Sequence, residues 1–244
     1  MKTVRIAIVA DLHANRYALS AFLRYLDRHF PAERILNLGD FLQIGPHPRE
    51  VAEAVLGDPR FVSVLGNNEL SLLHRNAEGF LASEVAHQDW TIAQLGPALL
   101  AQVAALPRAR IVTVEGKRML LLHSRTVSAV DRPFLYAQGR TLTDFTADYE
   151  DEEADWILFG HTHEPLYLSW RGTVYLNPGS LGCSRQAQLS FILVEMRGAE
   201  ASVSLRSVAY DNAALKADYC ERQVPDRERA LALFHGIHLE ESLA

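Results

Sequence analysis

The stretch VRIAIVADLHAN, residues 4–15, opens with an apolar run at 4–9 that reads as a buried strand. The run stops at Ala10 and turns polar at once, so Asp11 and His13 fall at the carboxyl end of that strand. Residues 15–30 follow with Leu19, Phe22, Leu23 and Leu26 at helical spacing, an apolar face on an otherwise polar helix. A buried strand feeding an amphipathic helix is how an α/β architecture begins, and in open α/β sheets ligands gather at the carboxyl ends of strands.

Working outward, 34–38 and 61–65 predict two more strands, separated by a turn at Gly45-Pro46-His47-Pro48 and a helix over 49–56 entered through proline. Residues 69–106 predict mostly helical chain ending at Pro107. The segments 109–114 and 117–122 predict a hairpin around Glu115-Gly116. Later strands are expected at 156–159, 173–176, 189–195 and 201–209, a loop or short helix at 131–151, and a peripheral helix at 226–243. This order predicts α/β layers around a mixed sheet or two packed sheets, in a single domain over 1–244 with its core at about 1–210 and a helical extension at 211–244.

A chain of 244 residues with 48% hydrophobic residues suits one medium domain with a continuous core. The net charge of −6 and the lack of a Lys/Arg cluster argue against a long nucleic acid as partner. The two cysteines, Cys183 and Cys220, form no CxxC pair, so neither a thiolate zinc cage nor a disulfide framework is indicated, which fits a reducing, cytoplasmic setting. The apolar run at the start is too short for a signal segment, and no stretch approaches a membrane-spanning length.

The chemistry follows the apolar runs. The first strand ends in Asp11-Leu12-His13, the second in Gly39-Asp40 and the third in Gly66-Asn67-Asn68-Glu69. The strand over 119–122 ends in His123, and that over 156–159 in Gly160-His161-Thr162-His163. In an extended chain, residues two apart point to one side, so Asp11 with His13, and His161 with His163, can each face a common ion. Any one of these motifs has a bland explanation: a helix cap for Asp40, a hydrogen-bonded core histidine for His123. Their joint occurrence at strand ends does not. Carboxylate, imidazole and amide donors without thiolate suit Mn, Fe, Zn, Ni or Co. Asp11, His13, Asp40, Asn67, His123, His161 and His163 exceed one ordinary coordination sphere and fit two divalent ions sharing a bridging carboxylate.

These motifs resemble the calcineurin-like metallophosphoesterases, whose signature runs Asp-x-His, Gly-Asp, Gly-Asn-His-Asp/Glu, a strand-end His and Gly-His-x-His. Asp11-Leu12-His13-Ala14-Asn15, Gly45-Pro46-His47-Pro48 and Asn177-Pro178-Gly179-Ser180 are similar to the compact bacterial, phosphodiesterase-like branch. The resemblance implies a four-layer αββα sandwich with two metals at one rim. It implies Asp11, His13 and His163 on the first ion, Asn67, His123 and His161 on the second, and Asp40 between them. Asn15 falls where the branch has an Asn beside the site, and equally where a helix needs its cap. His47 reads as a solvated turn histidine, with reach to the rim and substrate as the alternative. His74 and His87 read as non-catalytic.

The implied activity is hydrolysis of a phosphodiester or phosphomonoester by a metal-bridging hydroxide, on a small phosphorylated substrate, with nucleotides among the candidates. The chain departs from the signature at Asn68, where many members carry a His that assists the leaving group; an amide donates a hydrogen bond but cannot deliver a proton near neutral pH. Ser124 stands where a Gly often follows the strand-end His. The competing reading is a non-catalytic metal-binding scaffold on the same fold, like the related retromer subunit.

Overall fold

A computed structural model of the chain describes residues 2–75, 77–125 and 142–238. Among the described residues, ten strands form two five-stranded sheets. β1 (Val4–Val9), β2 (Arg34–Asn37) and β3 (Phe61–Ser63) are parallel, and β9 (Gln188–Arg197) and β10 (Glu200–Ala209) extend them antiparallel, in the order β10-β9-β1-β2-β3. The second sheet runs β4-β5-β6-β8-β7, from β4 (Ala109–Val114), β5 (Lys117–Leu122), β6 (Trp156–Leu158), β7 (Pro165–Trp170) and β8 (Thr173–Pro178). Its centre, β5-β6-β8, is parallel and both edges are antiparallel.

The period-two pattern of β1 sets the layers. Ile6, Ile8 and Ala10 face the second sheet, packing with its Met119, Leu121 and Leu158, while Ala7 and Val9 face helices. Those helices are α1 (Arg16–His29), α2 (Pro48–Gly57) and α4 (Ala82–Ala104), which bury Leu19, Phe22, Leu26, Val51 and Leu95. On the far side, α5 (Leu142–Ala147) packs Phe145 against Ile157, Phe159 and Tyr175. The result is the expected helix–sheet–sheet–helix sandwich.

Local chemistry modifies the predicted elements. The expected helix over 69–106 is two: α3 (Asn67–His74) ends at Arg75 in the left-handed region, and α4 begins at Ala82. α4 kinks at Gly96, whose φ is 70°, before Pro97, which cannot donate to the preceding turn. The strand β7 is absent from the sequence reading because it is an edge strand with Tyr167 60% exposed, so its apolar run is broken. The expected loop at 131–151 lies partly outside the described residues, and α5 occupies its end. The helix expected over 226–243 is only α7 (Arg227–Ala230) and a π-helical turn, Leu231–His235, stopped by Gly236 at φ 66°; residues 239–244 lie outside the described residues. A further helix, α6 (Ala213–Glu221), precedes them. Leu215, Tyr219, Val224 and Leu231 form a small buried cluster against Tyr17, Ile44 and Trp90, so this segment packs on the site end of the molecule. Among the described residues, no helix is long and apolar enough to cross a membrane.

Candidate metal centre

The carboxyl ends of β1, β2, β5 and β6 and the start of α3 meet at one rim. Asp11 is fully buried, and His13, Asp40 and His123 nearly so. The His13 and His163 Nε2 atoms lie 3.0 Å apart, with Asp11 Oδ1 3.7 Å from the first and 3.4 Å from the second. His123 Nε2 is 3.3 Å from Asp40 Oδ2. His161 Nδ1 is 2.8 Å from Asn67 Oδ1. Donor atoms of Asp11, His13 and Asp40 lie within 4.8 Å of one another, and so do those of Asp40, His123 and His161, with Asp40 common to these two groups; a third group joins His13 and His163 to the Cys183 sulfur, a thiol the sequence did not place there. All seven residues expected as ligands therefore converge.

They converge by a different local geometry from the extended one expected. Asp11, His13, Asp40, His161 and His163 all have positive φ, between 45° and 76°. Left-handed backbone costs a non-glycine residue about 1 kcal/mol or more, and such strain clusters where function holds it. The tight turns separate neighbours in sequence: His161 meets Asn67, whereas His163 meets His13 and Asp11. Two glycines allow the approach. A Cβ on Gly39 would lie 2.5 Å from the Gly66 backbone nitrogen, and one on Gly66 would lie 2.0 Å from Asp40 Oδ1.

Hydrogen bonds orient the donors. The His123 Nδ1–H donates to the Leu38 carbonyl at 2.8 Å, which fixes the tautomer and turns the Nε2 lone pair into the cluster. The His161 backbone N–H donates to Asp11 Oδ2. Ser180 Oγ donates to the Asp11 carbonyl, and Asn177 Nδ2 donates to Gly160 O and Thr162 Oγ1, so the Asn177–Ser180 turn holds both His- and Asp-bearing loops. Glu69, fully buried, accepts four backbone N–H groups from Asp40, Phe41, Leu42 and Gly66 and clamps the second loop to the third. In the sequence Glu69 is the acidic residue of the third motif, three residues after the helix-starting Gly66, a spacing from which a Glu side chain reaches back to the N-cap N–H.

The electrostatics suit a cation. Asp11 Oδ1 and His123 Nε2 are buried without a hydrogen-bond partner, atoms that a metal ion would satisfy. Burial and the neighbouring His163 lower the His13 pKa to about 4, keeping its imidazole neutral and able to ligate. Burial opposes the charged form of His123, but the Asp40 and Asp11 carboxylates outweigh it and raise its pKa to about 10. Burial and Asp40 raise Glu69 to about 7 against its backbone donors.

Two expected contacts with substrate do not join the cluster. The Asn15 side chain accepts from the Ala18 N–H as a helix cap and donates to Gly182 O and Tyr210 Oη, which uses both of its donors. His47 is not a solvated turn residue: it is buried and donates from Nε2 to Asp218 Oδ2 at 2.6 Å. His87 is also buried, accepting from the Ile44 N–H and donating to the Pro225 carbonyl. A residue the sequence reading missed is Phe234, whose ring centre lies 6.1 Å from those of both His13 and His163.

The family model described as the calcineurin-like phosphoesterase superfamily domain matches residues 4–199. A metallophosphoesterase from Sphaerobacter thermophilus aligns with 25% identity and a TM-score of 0.72 over 91% of this chain and 96% of its own. A hypothetical protein from Pyrococcus horikoshii OT3 aligns with 20% identity and a TM-score of 0.77 over 96% and 99%. Vacuolar protein sorting 29 from Cryptosporidium parvum aligns at a TM-score of 0.50 with 16% identity over 85% and 98%, a likeness of fold alone. A search of curated proteins finds no match.

Proposed function

The chain belongs to the calcineurin-like phosphoesterase superfamily, and from that premise we propose that it hydrolyses a small phosphodiester or phosphomonoester at a pair of divalent ions. The observation that carries this reading is the convergence of seven donor residues from separate chain segments, with Asp40 common to both groups of donors. Asp11, His13 and His163 would hold one ion, Asn67, His123 and His161 the other, with Asp40 shared between them. Mn, Fe, Zn, Ni or Co would suit these donors. When bound, such a pair supplies positive charge to the phosphoryl oxygens and an activated water.

The chain's own groups do the positioning. The Leu38 carbonyl keeps the proton of His123 on Nδ1, and the Asp11 and His161–His163 turns are tied together through Asn177 and Ser180. Asn68 donates to Asp40 from its backbone and its side chain and has no acidic proton for a departing alkoxide. The reaction therefore favours leaving groups that depart without general-acid help. The chain works as a single domain, its C-terminal helices included.

The scaffold alternative keeps Asn68 in its favour and, since it also binds metal, accounts for the strained turns at five donor residues equally well, so turnover is what separates the two. The test is metal content together with turnover of a nitrophenyl phosphodiester. Two ions per chain with turnover supports the proposal; bound metal without turnover of any phosphoester leaves the scaffold.

A further inference from the structure

A cleft of about 170 Å³ adjoins the centre. Asn68 lines it and donates to Asp40, so the cleft and the donor cluster share a residue. Phe234 also lines it, and its ring stands against His13 and His163. Its walls are largely apolar: Ile44, Phe80, Ala230 and Leu233 join Phe234. Phe80 and Leu233 are 39% and 50% exposed, large apolar side chains facing water beside a reactive centre. The wall formed by Ala230, Leu233 and Phe234 lies beyond residue 199, outside the span shared with the family domain.

The polar groups of the cleft narrow what could occupy it. Arg229, the one cation among the described lining residues, is paired with Glu84 and lies 3.7 Å from Asp226. His87 spends both ring nitrogens on Ile44 and Pro225, and burial lowers its pKa, so it adds no positive charge. With Glu84 and Asp226 present and no unpaired cation among the described lining residues, a second phosphate or a carboxylate would be desolvated without compensation. An apolar cavity of roughly 150 Å³ takes up benzene, so this volume fits one aromatic ring.

We propose that this cleft is a leaving-group subsite for an uncharged single-ring aromatic group of a phosphoester, gripped by Phe80, Leu233 and Phe234. The inference rests on the phosphoesterase reading of the adjoining centre and adds the chemistry of the substrate to it. Leu233 and Phe80 act as specificity residues.

The test measures binding of benzylphosphonate and methylphosphonate, neither of which can be hydrolysed, to the manganese-loaded full chain by calorimetry. Benzylphosphonate binds about tenfold or more tightly, as burial of one ring implies. Leu233→Ala and Phe80→Ala, both at partly exposed positions, reduce that ratio to about twofold or less and leave methylphosphonate binding and the thermal midpoint unchanged. Equal binding of the two phosphonates, or an equal loss of both in the variants, overturns the subsite. Hydrolysis of phenyl methyl phosphate is followed alongside. Turnover without the affinity difference removes the subsite and keeps the hydrolase; the affinity difference without turnover of any phosphoester keeps an aromatic pocket and overturns its leaving-group role together with the hydrolase.

Discussion

Asn68 grips Asp40 twice: its backbone N–H donates to Oδ1 at 2.9 Å and its side-chain Nδ2 to Oδ2 at 2.8 Å. The residue that departs from the family signature is thus a positioning group on the carboxylate common to both sets of donors. Asn68→His restores a side chain that can carry a proton. It is expected to raise kcat/KM about 10²-fold for phosphoesters with poor leaving groups and little for nitrophenyl esters. Equal changes on both substrates would remove the leaving-group argument.

Asp40→Asn takes the charge from that shared carboxylate. Bound metal is expected to fall by at least one ion per chain and turnover to vanish, with far-UV circular dichroism unchanged. Elemental analysis beside the activity assay reads both effects, and full metal content at the native rate would reject the bridging role.

The pH dependence follows from His123. In the metal-free chain its pKa is raised from 6.5 to about 10, so the stability it contributes is fully present below 6.5 and is lost as pH rises towards 10. Metal must also displace that proton, so affinity tightens as pH rises over the same window. Thermal unfolding with manganese and with chelator should therefore show a midpoint difference that widens between about pH 6.5 and 9. A difference that shrinks with pH would contradict the assignment.

Gly66→Ala places a methyl group where Asp40 Oδ1 stands, 2.0 Å from the ideal Cβ. Loss of metal binding is expected. Gly57→Ala is the control: it ends α2 with nothing within 4 Å of the added Cβ, and should be neutral or stabilising by about 0.5 kcal/mol with metal content intact. Two variants that behave alike in metal analysis would show that the close approach at Gly66 does not matter.

Asp218 on α6 accepts from His47, Tyr17 and Arg16 and fastens the C-terminal helices to the turn before α2. Asp218→Ala leaves His47 buried with neither ring nitrogen bonded, at an expected cost of about 1–3 kcal/mol in urea unfolding. Arg16→Ala, at a side chain 40% exposed, should cost about 0–1 kcal/mol. A larger loss for Arg16 than for Asp218 would place the stabilisation in the surface pair instead.

The sequence by itself marked the candidate donors and the buried strands, and left open whether those strands form one mixed sheet or two packed sheets. Each donor sits directly after a short apolar run, and strand burial is written locally as β-branched periodicity, as in residues 4–9. Asp11, His13, Asp40, Asn67, His123, His161 and His163 were therefore legible as candidates from order and spacing, and the structure brings them together. What tertiary structure alone decided is how they meet. The left-handed turns, the separation of His161 from His163 and the fourfold clamp of Glu69 depend on contacts between segments far apart in the chain. So does the placement of the C-terminal segment: the cluster of Leu215, Tyr219 and Leu231 on Tyr17 and Ile44 brings Phe234 to the donor histidines. Local periodicity records that a face is apolar; it carries no record of which distant surface will bury it.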